Sequence, residues 1–211
     1  MLLNSFSMFK KFLVLILSAL LCLSFTGCKG KDDVFRINQF KYIYEDEVVL
    51  SYYYTYTDDN KPLTYSVDHK STEEANYTDT FHYNDDGDMV SMTRKYSATK
   101  ETAEYSAEKI TNYKYILKDS SGNEFLTIVF DENGFIVSFR DAIGYVTEYA
   151  FTYDEKGNPI TFKRLEVLPS GSNQLVEYSV EKVNNHTLRL HATGKYANDK
   201  AYYEIDCTII K

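Results

Sequence analysis

Cys28 is the residue whose position most clearly predicts a chemical modification. Lys10 and Lys11 lead into an uncharged, mainly apolar run over residues 12–23, and the stretch 24–27 ends directly before Cys28. A basic start, a short apolar run and a cleavage point are the pattern of a secretory signal peptide. The apolar run is too short to cross a hydrocarbon core of about 30 Å, which takes roughly 20 helical residues. The sequence therefore predicts that residues 1–27 are a signal peptide and that Cys28 becomes the first residue.

The four residues Phe25-Thr26-Gly27-Cys28 resemble the lipobox of bacterial lipoproteins. The resemblance implies a thioether between Cys28 and diacylglycerol, followed by acylation of the new amino terminus. A single acyl chain holds a protein only marginally, at about 0.8 kcal/mol per buried methylene, whereas two or three chains hold it firmly. We therefore expect a protein of the cell envelope that is attached to the membrane through lipid on Cys28.

Residues 28–33 form a short polar tether after the predicted cleavage point. Within it, Lys31-Asp32-Asp33 resembles the surface-export signal of some Gram-negative outer-membrane lipoproteins. The resemblance implies an outer-membrane protein that faces the cell surface. A solvated spacer with no signal is the alternative interpretation of the same residues.

Few other residues have a spacing that indicates chemistry. No two of the four histidines have the spacing of a zinc site, and His186 and His191 are predicted on opposite faces of one strand. The histidines are His69, His82, His186 and His191. The cluster Asp85-Asp86-Gly87-Asp88 has the carboxylates that Ca²⁺ prefers, but turn formation already explains these acids. The sequence predicts no metal site and no cofactor.

No motif of a catalytic site is present. The chain lacks a Gly-x-Ser-x-Gly elbow and a phosphate-binding glycine loop. Cys207 alternates with Tyr203, Ile205 and Ile209, which predicts a buried core thiol and not a nucleophile. We therefore expect a protein that is not an enzyme.

Charge excludes one class of partner. The predicted leader holds two lysines and no acids, so the remaining 184 residues have 21 basic and 31 acidic residues and a net charge of −10. An acidic chain with no basic run is poorly suited to phosphate backbones and anionic headgroups. We expect no nucleic-acid partner.

A twelve-residue unit occurs four times without gaps. Its copies are residues 54–65, 81–92, 128–139 and 151–162. Large apolar residues at the first and third positions predict one face of a strand, and those at the tenth and twelfth predict one face of the returning strand. Asn60, Gly87, Gly134 and Gly157 occupy the seventh position, where a bulged hairpin needs a left-handed residue. Hydroxyl residues at the eleventh position are predicted on the opposite, wetter face.

The unit resembles the YD repeat of Rhs and teneurin-like proteins, most closely in Tyr153-Asp154-Glu155-Lys156-Gly157-Asn158. It is also similar to a family of bacterial lipoproteins of unknown function. The resemblance implies hairpin architecture and brings no catalytic residues. The chain has too few strands for the closed shell of the large family members.

The remaining pattern extends the hairpins into one fold. Twenty Tyr and 13 Phe, with no Trp, favour strands. A degenerate hairpin is predicted around Asp119–Asn123, and further turn signals follow every 8 to 13 residues. The sequence predicts one all-β domain over residues 34–211, an antiparallel meander of about twelve strands that is curved or rolled. Residues 98–110 fit either a strand or a short helix.

Two classes of function remain open. The first is a non-catalytic binding module that holds a glycan, a peptide or a partner protein through a tyrosine-rich surface. The second is a structural or interaction protein of the envelope, in which the aromatic side chains are simply core. Whether the aromatic side chains of the repeats are buried or line an accessible groove distinguishes the two.

Overall fold

The computed structural model describes residues 34–154 and 159–210, which form fourteen β-strands and two short 3₁₀ turns. Cys28, the predicted leader, the tether and Gly157 lie outside the described residues. The strands are β1 (Val34–Tyr44), β2 (Glu47–Tyr56), β3 (Pro62–His69), β4 (Tyr77–Tyr83), β5 (Met89–Tyr96), β6 (Thr102–Lys109), β7 (Lys114–Lys118), β8 (Glu124–Phe130), β9 (Ile136–Asp141), β10 (Val146–Tyr153), β11 (Pro159–Val167), β12 (Asn173–Lys182), β13 (Thr187–Ala192) and β14 (Ala201–Ile210). The 3₁₀ turns are Glu73–Ala75 and Gly194–Tyr196. The described residues include no helix that is long and apolar enough to cross a bilayer.

Each strand pairs antiparallel with the next, and β1 pairs with β14, so the sheet closes into a barrel. The predicted all-β meander is confirmed. The predicted number of about twelve strands is wrong, because the sheet has fourteen, and the expected curvature is complete, so that the sheet closes on itself. Pairing runs from Val34 opposite Ile210 to Tyr44 opposite Ala201. Closure removes both sheet edges, which would otherwise expose unpaired backbone groups.

Residues 98–110 form a turn and a strand, not a helix. Lys100 has φ +62° in the turn, and β6 begins two residues later. Ala103 and Ala107 pack against the core, and Tyr105 between them is buried. This period of two explains why two small residues and a tyrosine form an inward strand face.

The repeated hairpins share one turn geometry. In the copy at Asp131, the N–H of Asp131 donates to the carbonyl of Phe135, and the N–H of Gly134 donates back to the carbonyl of Asp131. The equivalent bonds form at Thr57 and at Asn84. The seventh residues have positive φ: Asn60 +67°, Gly87 +79° and Gly134 +79°. The predicted left-handed position is confirmed in these three copies.

The returning strands differ from the prediction by one position. A register shift follows each turn, so that Tyr83 pairs with Met89 and His82 with Ser91. The ninth residue, Met89, is buried while the tenth, Val90, is 44% exposed. The same bulge leaves Ile160 48% exposed on the outer face. In these two copies the tenth and twelfth residues therefore lie on opposite faces, because the bulge inserts one residue into the period of two. In the copy at Asp131, the tenth residue, Val137, is partly buried against the core.

The inner face of the barrel wall is mainly apolar, and the outer face carries most of the polar pairs. Inside, Phe40 lies 5.8 Å from Phe162 between ring centroids, so side chains from opposite walls fill the lumen. Outside, the Lys41 ammonium lies 2.8 Å from Asp206 and the hydroxyls of the neighbouring Thr55 and Thr64 lie 2.6 Å apart. The outer face also exposes apolar side chains, among them Val90, Ile160 and Leu175.

Successive turns alternate between the two ends of the barrel, because the strands are antiparallel. We call the end where β1 begins at Val34 and β14 ends the proximal end. The repeat turns at residues 57–61, 84–88 and 131–135 lie there. The other end, called distal, holds the turns at residues 119–123, 141–145 and 168–172.

Candidate functional site

A cavity of about 320 Å³ lies inside the distal half of the barrel. It is within the size range of small-ligand sites, at the lower end. Its walls are mostly aromatic and come from eight strands and one turn. They comprise Phe40, Tyr52, Tyr54, Tyr65, Tyr77, Asp79, Arg94, Phe125, Leu126, Ile128, Phe135, Ile136, Phe139, Asp141 and Tyr149. Tyr77, Phe125 and Asp141 stand at the distal ends of their strands and form the rim, where each is partly exposed.

The proximal floor of the cavity is a turn that folds into the barrel. Phe135 is 5% exposed and its ring lies 5.5 Å from that of Tyr54. Behind it, Gly134 approaches the opposite wall so closely that a Cβ there would lie 2.8 Å from the carbonyl oxygen of Asn60. Two repeat turns from opposite walls therefore meet and seal the proximal end.

Five tyrosine rings line the cavity. The rings of Tyr52 and Tyr65 stack with centroids 6.0 Å apart, and those of Tyr54 and Tyr65 lie 5.2 Å apart. Burial raises the pKa of Tyr77 to about 12 and raises the pKa of Tyr149 and of the other three as well. These phenols remain protonated at neutral pH, so they offer hydroxyl groups for hydrogen bonds and no base.

One ion pair lies in the aromatic wall. The Nε and Nη2 atoms of Arg94 each donate to a different carboxylate oxygen of Asp79, at 2.7 Å. The guanidinium carbon lies 3.8 Å from the ring centroid of Tyr77 and 5.0 Å from that of Phe125. Burial raises the pKa of the Asp79 carboxyl, and the two bonds from Arg94 counter part of this shift. The pair is held on both sides by packing and hydrogen bonds.

A second guanidinium lies inside the opposite wall. Arg164 donates a hydrogen bond to the hydroxyl of Tyr203, and its Nε lies 3.5 Å from the carboxylate of Glu166. Arg164 pairs in register with Tyr149 on β10, so the two side chains share the inner face. Arg164 and its partners Tyr203 and Glu166 are not among the lining residues, and Arg164 lies beside the lining ring of Tyr149.

The histidines, acidic residues and Cys207 that the sequence analysis considered for chemistry do not form a common site in the described part of the chain. In the described part of the chain, no three His, Cys, Asp or Glu side chains are grouped as a metal site. His186 precedes β13 and His191 lies within it, so the prediction that both belong to one strand is wrong. Cys207 is 3% exposed, as predicted, and burial raises the pKa of its thiol to about 11. Cys28 lies outside the described residues.

The sequence interpretation missed the Asp79–Arg94 pair, although a signal was present. Asp79 stands between Tyr77 and Phe81 on one strand face, and Arg94 follows Met92 on another. A charged residue at an inward-facing position of a strand is buried among apolar side chains, so it needs a partner of opposite charge. Two such residues on adjacent strands predict a buried ion pair.

Comparison with known proteins shows no family. No protein-family model matches the chain, and no curated protein matches it. Among solved structures, the chain is similar to a porin-like protein from Bacteroides uniformis, with 14% sequence identity and a TM-score of 0.32. The match covers 80% of this chain and 59% of that one, so this chain spans less than two thirds of that protein's length. A similarity at this TM-score carries no argument about function.

Proposed function

We propose that this protein is a lipid-anchored, non-catalytic binding module of the cell envelope, and that its ligand enters the barrel cavity. The observation that supports this proposal is the aromatic cavity of about 320 Å³ that reaches the distal rim. An aromatic core with no binding role would be expected to fill this space, since protein interiors are close-packed. The ligand, or the part of it that enters, is mainly apolar, as in a peptide side chain or the apolar face of a glycan.

The position of the chain start supports this arrangement. Val34 begins β1 at the proximal end, and only five residues separate it from Cys28. Five extended residues reach at most about 18 Å. With lipid on Cys28, the sealed proximal end lies beside the outer membrane and the cavity rim points away from it. On the cell surface, that rim would meet ligands from the medium.

The absence of a reactive group in the described cavity wall supports a non-catalytic role. Asp79 has both oxygens engaged by Arg94, and Oδ1 of Asp141 accepts the N–H groups of Ile143 and Tyr145. The tyrosines have raised pKa values. Neither the engaged carboxylate of Asp79 nor the protonated phenols can act as a general base, which proton transfer would need.

The anchor is tested by labelling cells with radioactive palmitate. The unmodified chain should incorporate label, and Cys28→Ser should not. Incorporation into Cys28→Ser would contradict the anchor. Cys22→Ser is the matched control, because Cys22 belongs to the predicted leader and its replacement should leave labelling unchanged.

The surface location has a separate test with protease added to intact cells. If Lys31-Asp32-Asp33 directs export, the protease should remove the domain, and replacement of all three residues by Ala should protect it. Full protection of the unmodified protein would place it on the periplasmic side.

The binding role is tested by capture from intact cells together with a glycan array. Leu126→Trp places a larger side chain in the cavity and should abolish capture. Leu175→Trp is its control, because Leu175 is 48% exposed on the outer face. If both variants capture the same ligand as the unmodified chain, the ligand does not use the cavity. If no variant captures anything, the alternative of a structural envelope protein is favoured.

A further inference from the structure

The guanidinium of Arg94 has one engaged edge and one unengaged edge. Asp79 accepts hydrogen bonds from its Nε and Nη2 atoms. Within the described part of the chain, the Arg94 side chain donates hydrogen bonds only to Asp79. A guanidinium has five N–H donors in a rigid plane. Three remain, two on Nη1 and one on Nη2, and one N–H from each of these nitrogens forms the terminal edge of the fork. A carboxylate binds such an edge with both of its oxygens.

This unengaged edge is held in place before any ligand arrives. Tyr77 and Phe125 contact the guanidinium by its face, and Asp79 fixes its rotation. The Arg94 side chain is 13% exposed and Asp79 is 3% exposed, so water has little access to the pair. A donor pair fixed in this way binds an acceptor without the entropic cost of ordering a flexible side chain.

The charges around the cavity favour a single anionic group at this position. Arg94 is the only cation among the residues that line the described cavity. Its partner Asp79 binds the Nε–Nη2 edge of the guanidinium, away from the terminal edge. Asp141 also faces the cavity, from the rim, and its Oδ1 accepts two backbone N–H groups. A cationic ligand at the unengaged edge would meet only N–H donors. The edge therefore selects an acceptor, and Asp141 disfavours a second negative charge near the rim.

We infer that the cavity binds an apolar carboxylate, preferably an aromatic one, with its carboxylate on the terminal edge of Arg94. The rest of the ligand packs against the rings of Tyr52, Tyr65 and Tyr149. This ligand class rests on the proposed binding function of the cavity. A C-terminal aromatic residue of a peptide and a free aromatic acid share this chemistry.

Isothermal titration with 2-naphthoate and its neutral amide, 2-naphthamide, tests the inference. The protein is the full chain in lipid nanodiscs. We expect naphthoate to bind at least about tenfold more tightly than the amide. Equal affinities would overturn the preference for a carboxylate and leave the binding function intact. No binding of either probe would contradict both.

A variant pair assigns the effect to Arg94. Arg94→Lys retains a positive charge for Asp79 and lacks the planar fork, so we expect the preference for naphthoate to disappear while the amide binds as before. Arg36→Lys is the control, since Arg36 lies 4.7 Å from the ring centroid of Tyr56 near the proximal end and should not affect either probe. A preference that persists in Arg94→Lys would overturn the assignment.

A second measurement covers the case in which Arg94→Lys does not fold. In ¹⁵N-labelled unmodified protein, the Arg94 side-chain Nε–H resonance should shift with naphthoate and remain in place with naphthamide. A resonance that responds equally to both probes, or to neither while naphthoate binds, would overturn the inference.

Discussion

The turn at residues 131–135 and the turn at residues 119–123 have the same backbone and opposite surroundings. In each, the Oδ1 of an aspartate, Asp131 or Asp119, accepts two backbone N–H groups at 2.9 Å. Gly134 has φ +79° and Gly122 has φ +81°. The first turn seals the proximal end, whereas the second is exposed at the distal end. Local sequence sets the conformation of a turn, and its place in the barrel sets what each side chain contributes.

The largest difference between the two ends should come from ring truncation. Phe162 is fully buried in the proximal half, and its ring lies within 5.8 Å of those of Phe40, Tyr149 and Phe151. Phe162→Ala should lower the free energy of unfolding by about 3 to 5 kcal/mol. Phe125→Ala at the cavity rim should cost less, about 1 to 3 kcal/mol, because this ring is only partly buried. Urea unfolding of both variants measures the difference, and equal costs would contradict a looser distal half.

The glycine pair isolates packing from backbone strain. Gly134→Ala and Gly122→Ala both place a side chain at positive φ, and this backbone strain should lower the free energy of unfolding by about 1 to 2 kcal/mol in each variant. At Gly134 the new Cβ would also lie 2.8 Å from the Asn60 carbonyl, whereas at Gly122 nothing lies within 4 Å. We expect Gly134→Ala to be the more destabilising by at least about 1 kcal/mol. Thermal unfolding checks this, and equal melting temperatures would show that the two proximal turns do not touch.

The aspartate pair tests electrostatics with matched variants. Burial raises the pKa of Asp131 to about 6, so its charge opposes folding, and this penalty grows as pH rises from about 4 through 6. Asp131→Asn keeps the acceptor oxygen, as Asn84 does in a sister turn. This variant should be more stable than the unmodified protein at pH 7, by about 1 to 3 kcal/mol, and equal to it near pH 4.

Asp119 should behave in the opposite way. Hydrogen bonds from the backbone and side chain of Asn123 lower the pKa of its exposed carboxyl, so its charge favours folding above the unfolded-state pKa and this benefit is lost as pH falls. Asp119→Asn should therefore be less stable than the unmodified protein at pH 7, with the difference vanishing at low pH. Unfolding curves at several pH values measure both variants, and parallel pH dependence would contradict the comparison.

The smallest effect concerns thiol access. Cys207 lies on β14 in the proximal half, and burial raises the pKa of its thiol to about 11. The native protein should therefore remain unmodified by iodoacetamide at pH 8 over hours. Ile143→Cys at the distal end should react within minutes, because Ile143 is 75% exposed. Mass spectrometry after labelling distinguishes the two sites, and rapid reaction of Cys207 would show that the proximal half opens.

The hairpin turns were predictable because their signals are local. An aspartate or asparagine followed by glycine three residues later indicates the turn, and the unpredicted turn from Asp141 to Gly144 carries the same spacing. The bulge that exposes Val90 and Ile160 was not predictable from alternation alone, because one inserted residue reverses the phase. The closure of the barrel was also not predictable, since Val34 and Ile210 are far apart in sequence and no local pattern specifies their pairing.

The cavity had a partial signal. Asp79 and Arg94 break the apolar phase of their strands, which predicts a buried pair but not that the pair lines an accessible space. That space depends on Phe135 folding inward beneath Tyr54 and on the strand number, and neither is encoded near the pair.

The pairing of the first strand with the last sets the moment in synthesis at which the barrel can close. Residues 34–44 have no partner on one side until residues 201–210 have been synthesised. Until then the chain carries two exposed strand edges in a tyrosine-rich sheet, which is a form prone to association with other chains. Truncation within residues 201–210 should therefore reduce the yield of folded protein sharply, and a holdase chaperone should be most useful at this last step.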